Sequence, residues 1–178
     1  MKEQDVILVD VNDLPLGLIP KMEAHKKGLL HRAFSIFIIN KKSELMLQQR
    51  ALDKYHSPGL WTNTCCSHPM KDESIISAGH RRLKEEMGFK TDLTKTFHFI
   101  YKTPFENGLI EHELDHVLLG NYEKDPIINK NEVADWKWMS LEKVKIDIGL
   151  NPSFYTVWFK IIFDQFSKKL NFSHESDS

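Results

Sequence analysis

SHPMKDESIISAGHRRLKEEMGF, residues 67–89, sets five residues between Ser67 and Glu73 and seven between Glu73 and Arg81. From Glu73 to Met87 the text is helical, and Gly88 ends it as a C-cap residue does. Arg82 and Glu86 are four apart and share a helix face. Magnesium takes oxygen ligands, and a helix offering carboxylates one turn apart can share such an ion with phosphate oxygens. An arginine on that face forks onto a phosphate but ligates no metal. An ordinary amphipathic helix carries the same Glu, Lys and Arg on its solvated side, so the stretch alone leaves both readings open.

Outward from this helix the chain alternates strands and connections. VILVD (6–10) is a first strand, NDLPLG (12–17) its turn, and PKMEAHKKGLLH (20–31) a polar, irregular segment. AFSIFIIN (33–40) is a buried strand and LMLQQR (45–50) the next, followed by a long connection over 51–64 with a Pro58-Gly59 turn. FHFIYK (97–102), IEHELDHVLLGNYE (110–123) and ADWKWMS (134–140) are strands. SLEKVKID starts a short helix, and residues 151–170 form a longer one with Pro152 at its second position. Mixed strands with two or three helices give an α/β (α+β) sandwich. The 178 residues, 41% hydrophobic and 28% charged, suit one domain over 1–170 with a polar tail at 171–178.

A net charge of −1 gives no bulk attraction to nucleic acid or anionic membrane, and no apolar run approaches the roughly 20 residues that span a bilayer. The first residues lack the pattern of a signal peptide. Cys65 and Cys66, the two cysteines of the chain, are adjacent and cannot staple distant segments. The expectation is a reduced, cytoplasmic protein, a monomer for want of an obvious apolar seam.

A second constellation is spread along the chain. His25 and His31 precede the first buried strand, and His68 stands two residues after Cys66. In IEHELDH, strand periodicity puts Glu111, Glu113 and Asp115 on one face and His112, Leu114 and His116 on the other. Adjacent carboxylates on one face repel unless a cation sits between them. Three imidazoles with two carboxylates suit a six-coordinate divalent ion: Mn, Mg, Zn or Fe. Scattered histidines and a wet acidic strand face would read the same way. His56, His80, His98 and His174 have no such company and receive no role.

The stretch at 67–89 resembles a Nudix box, a loop–helix–loop that holds a metal–diphosphate. Two positions depart from it: Ser67 stands for the opening Gly, and Arg82 for the Glu after the first Arg. With PKMEAH (20–25), LHRAFSIFI (30–38), QQRALDK (48–54), PGLWTNTCCSHP (58–69), FIYK (99–102), GLIEHELD (108–115) and the aromatic helix around Trp158, the chain is similar to the type I isopentenyl-diphosphate isomerases, and Arg82 fits that pattern. The resemblance covers about residues 5–165 and implies a Nudix-type mixed β-sheet sandwich flanked by helices. It implies a shift of a double bond in a five-carbon diphosphate, by adding one proton and removing another. It implies Cys66 and Glu113 as the acid/base pair, Tyr101 as proton relay, and Trp158 laying its π-face against the developing cation. His25, His31, His68, Glu111 and Glu113 would ligate Mn²⁺, Mg²⁺ or Zn²⁺. Glu86 would hold a second ion, a Mg²⁺ shared with the substrate. Lys21, Arg50, Lys54 and Arg82 would neutralise the diphosphate. Cys65 is read as packing. Two rivals stand beside this reading: a pyrophosphohydrolase of the same superfamily, and a zinc knuckle built from the cysteines and histidines.

Overall fold

In the computed structural model residues 4–54, 56–105 and 107–175 are described, with side chains through Lys169. The chain runs β1 (Asp5–Val9), β2 (Pro15–Pro20), α1 (Lys21–Lys27), β3 (His31–Ile39), β4 (Glu44–Arg50), β5 (Trp61–Thr62), β6 (Cys65–Ser67), α2 (Ile75–Met87), β7 (Leu93–Pro104), β8 (Ile110–Asn121), β9 (Val133–Ser140), α3 (Leu141–Leu150), a 3₁₀ turn (Pro152–Phe154) and α4 (Val157–Glu175).

β3 organises the single mixed sheet. It lies parallel to β8 from His31↔Glu113 to Ile39↔Asn121. Along its other edge it meets β1 at His31, β6 over residues 34–36 and β4 at Ile39, all antiparallel. Phe34, Ile36 and Ile38 pack with Leu83 and Met87 of α2, while Phe37 packs with Phe159, Ile162 and Phe166 of α4. Covered on both faces, β3 must be apolar at nearly every position, which is why its sequence runs continuously hydrophobic rather than alternating.

Four local expectations change. Residues 15–20, read as turn and loop, form β2. Its prolines stand at the first and last positions of an edge strand, where a missing N–H costs least. Residues 21–27, read as irregular, form α1, closed by Gly28 at φ +61°. The expected helix over 151–170 is broken: Tyr155 is extended and bridges Trp61, and α4 begins only after Thr156, whose hydroxyl accepts from Phe159 N at 3.3 Å. That helix continues through residues read as tail, to Glu175. The box helix starts two residues later than expected, with Ser74 as N-cap. Glu73, freed from it, takes a two-pronged bond from Arg81, both contacts at 2.8 Å. At its other end Gly88 adopts φ +79°, and a Cβ there would stand 2.3 Å from the Ile127 carbonyl, so the position admits only glycine.

Candidate active site

α1 carries Lys21 and His25 one turn apart, so both side chains share a face. β3 opens on His31, His68 follows β6, and Glu113 faces His31 across the parallel pair. One donor atom from each of His25, His31, His68 and Glu113 lies within 4.8 Å of the others, and all four residues are buried. His68 Nε2 is 3.0 Å and His31 Nε2 3.5 Å from Glu113 Oε1. Burial depresses His25 to about 4 and His68 to about 3, so both rings are neutral at pH 7 and keep a lone pair for a cation. His25 Nε2 is buried with no hydrogen-bond partner among the described residues. Buried nitrogens are ordinarily satisfied, and a metal would satisfy this one; the residues fit a divalent ion. Among the described residues this group includes no thiol, whereas a zinc knuckle would place the cysteines in it.

Glu111 stands outside that group of four. Its carboxylate and that of Glu113 meet at Tyr101, whose hydroxyl is 3.1 Å from Glu111 Oε2 and 2.7 Å from Glu113 Oε2. Burial and the neighbouring Glu113 charge hold Glu111 well above the carboxylate range. Burial also works against ionising Glu113, but bonds from His31 and His68 outweigh it and hold this carboxyl well below its ordinary value. The acidic face of β8 is therefore buried rather than wet. Its third member, Asp115, is pushed up by burial and then by Glu113, and accepts from Ser35 at 2.8 Å. On the opposite face His116 bonds Asp13 Oδ2 at 2.9 Å.

His56, given no role from the sequence, belongs to the site. Its ring stacks on Phe105 at 5.5 Å and meets Trp158 edge-on at 5.6 Å, and its Nε2 is 3.9 Å from Glu111 Oε1. The backbone explains its arrival: Arg50 donates to the carbonyls of His56 and Ser57 at 3.1 and 3.2 Å, folding the connection inward. No short-range spacing announces such a residue.

Eleven of the thirteen expected site residues line one cavity of about 230 Å³: Lys21, Arg50, Lys54, Cys66, His68, Arg82, Glu86, Tyr101, Glu111, Glu113 and Trp158. His25 and His31 lie deeper, 2% and 0% exposed. Cys66 reaches the cavity through the strand alternation of β6, which buries Cys65 in the core instead. Burial pushes the Cys66 thiol up to about 12, so at neutral pH it carries its proton. Trp158, in the first turn of α4, lies under the Arg50 guanidinium at 5.2 Å, so a cation already rests on its ring.

The other end of the cavity is charged. Arg82 donates to Glu85 Oε2 at 2.6 Å and Glu86 Oε1 at 2.5 Å, and lies 3.5 Å from Glu132 Oε2. Lys54 bonds the same Glu132. Glu132, on the loop before β9, was not singled out from the sequence; its partners come from segments remote in the chain, so no local pattern marks it. Cations from two elements converge with the Glu86 carboxylate, a set fitted to an anion with a bridging divalent ion.

Residues 29–157 match the NUDIX domain family. The chain is 50% identical over 163 residues to isopentenyl-diphosphate Delta-isomerase 2 of Aromatoleum aromaticum, covering 92% of this chain and 86% of that protein. It is 51% identical over 165 residues to isopentenyl-diphosphate Delta-isomerase 2 of Photorhabdus laumondii, covering 93% of each. Among solved structures, DR0079 from Deinococcus radiodurans superimposes with a TM-score of 0.69 at 19% identity, over 83% of this chain and 90% of that one. A MutT protein from Methanosarcina mazei does so at 0.62 and 22%, over 79% and 94%. At such identities the structures speak for the fold alone.

Proposed function

The chain belongs to the isopentenyl-diphosphate Delta-isomerases, within the NUDIX domain family, and on that premise we propose how its residues divide the work. The protein interconverts isopentenyl diphosphate and dimethylallyl diphosphate in isoprenoid biosynthesis. In the forward direction a proton joins the terminal alkene carbon, a tertiary cation forms, and a proton leaves the carbon on the other side.

Cys66 and Glu113 are the acid/base pair, one giving a proton while the other takes one. The observation that carries this is their convergence: a protonated thiol and an ionised carboxylate line the same small cavity as a cationic anion-binding end. Tyr101, kept protonated by burial and the two glutamates, passes protons to and from Glu113. Trp158 steadies the cation with its π-face, an attraction worth about 2 kcal/mol when desolvated. Lys21, Arg50, Lys54 and Arg82 bind the diphosphate. His25, His31, His68, Glu111 and Glu113 would hold Mn²⁺, Mg²⁺ or Zn²⁺, and Glu86 would hold a Mg²⁺ that helps to bind the diphosphate. When bound, these ions supply positive charge that lets neighbouring carboxylates and phosphates coexist. We read the protein as a cytoplasmic monomer on a small diphosphate, consistent with its free cysteines.

The test is incubation with isopentenyl diphosphate in deuterated water. Deuterium enters dimethylallyl diphosphate, divalent metal is required, and Cys66→Ser and Glu113→Gln each abolish incorporation. Hydrolysis of a nucleoside diphosphate as the sole activity would overturn the reading.

A further inference from the structure

Gln48 of β4 is 3% exposed, buried beside the polar side chains of Thr62, Thr64 and Glu86. Its side-chain nitrogen lies 2.7 Å from the Thr64 carbonyl and 2.9 Å from Glu86 Oε2. Both partners are acceptors. Only the NH₂ end of the amide satisfies them, and its two N–H groups are thereby both used. The Thr64 end of this link is rigid: its hydroxyl donates to Met46 O at 2.6 Å and accepts from Ile38 N at 3.0 Å, joining β4 to β3. Gln48 is itself fixed in the sheet, opposite Thr62 on one side and Trp136 on the other. One N–H is therefore anchored to backbone, and the second points at Glu86.

Glu86 is 5% exposed and lines the cavity. Arg82 bonds its Oε1 and Gln48 its Oε2, and the Cys65 thiol also bonds this carboxylate. A carboxylate accepts at about four lone-pair sites, so these three donors leave one for a cation. Without the Gln48 bond the carboxylate loses its link to the Thr64 carbonyl. We infer that Gln48 is a positioning residue that orients Glu86 for the diphosphate-bridging cation, and so ties that ion to the Thr64–Cys66 segment bearing the thiol. This rests on the reading of Glu86 as a Mg²⁺ ligand. Groups that hydrogen-bond a metal ligand typically contribute about 10- to 100-fold in metal affinity.

Mg²⁺-dependent binding of inorganic pyrophosphate, followed by calorimetry, tests it without turnover. In Gln48→Met, which keeps the volume and removes the donor, the Mg²⁺ concentration for half-maximal binding rises about tenfold or more. Turnover recovers toward wild type at saturating Mg²⁺. In a Glu86→Gln background, Gln48→Met adds no further shift. If Gln48→Met does not fold, Gln48→Asn, too short to reach both partners, carries the same comparison. An unshifted Mg²⁺ dependence in the Gln48 variant, or an equal shift in the Glu86→Gln background, overturns the inference. Glu86→Gln itself indistinguishable from wild type would instead overturn the Mg²⁺-ligand assignment on which it stands.

Discussion

The Tyr101 hydroxyl lies 2.7 Å from Glu113 Oε2, and the same oxygen is 3.1 Å from Glu111 Oε2. A phenol has one proton to give. Since Glu113 is held down by bonds from the two histidines and makes the shorter contact, the Tyr101 proton goes to Glu113. Tyr101→Phe breaks this chain but leaves the ring in the core. The isomerisation rate should fall about 10²-fold, the lower end of what a proton-transfer group contributes. Leaving the carboxylates short of a donor costs about 1–3 kcal/mol of stability. Steady-state kinetics and thermal unfolding check both, and a wild-type rate would exclude a relay role.

The adjacent cysteines should behave oppositely. Cys66 lines the cavity and Cys65 is fully buried. Cys66→Ser should abolish the reaction, a loss of at least about 10²-fold. Cys65→Ala should keep the rate and lose stability alone, by about 1 kcal/mol for a small buried cavity. Parallel rate and melting measurements on the two variants separate the roles.

Removing metal should destabilise the fold. An ion that binds only the native state contributes about 2.7 kcal/mol at one hundred times its Kd. For a chain of this size that is roughly 5–10 °C in Tm. Scanning calorimetry with a chelator and with added Mn²⁺ or Zn²⁺ measures it. His68→Gln should abolish the difference, and a chelator-insensitive Tm in the wild type would contradict a buried histidine-held ion.

His56 contributes through packing on Phe105 and against Trp158. Two aromatic contacts of about 0.5–1.5 kcal/mol each are lost in His56→Ala. If half of that support bears on the transition state, kcat/KM falls roughly 2- to 13-fold. An unchanged kcat/KM would make the residue a bystander.

Acid should unfold the protein partly through His116. Burial, seconded by Lys95, depresses it to about 4 against 6.5 unfolded, with Asp13 pulling the other way. A depressed value means the fold favours the neutral ring. Its contribution is complete above pH 6.5 and is lost as pH falls through that window toward about 4. His116→Gln keeps a group able to bond Asp13 without titrating, so Tm should fall less steeply between pH 7 and 5 than in the wild type.

Much of this was legible in the chain. The apolar run of β3, the period-two pattern of β8 and the helix that ends at Gly88 follow from local periodicity and capping, which depend on neighbours a few residues away. The same locality explains the misses. Residues 21–27 carry too few apolar positions to declare a helix, and α1 exists because it docks beside β8 and buries Ala24 and His25. Tyr155 reads as helix until its pairing with Trp61 breaks the run.

By itself the sequence determined the family and the doubly covered strand, because motif spacing and hydrophobic period are properties of the covalent order. Only the tertiary structure decided that His56, Gln48 and Glu132 line the same cavity, that Glu111 stands apart from the cluster of His25, His31, His68 and Glu113, and that Glu111 and Glu113 are shifted in opposite directions. Those outcomes depend on burial and on charges brought together from distant segments, and neither exists until the chain has closed.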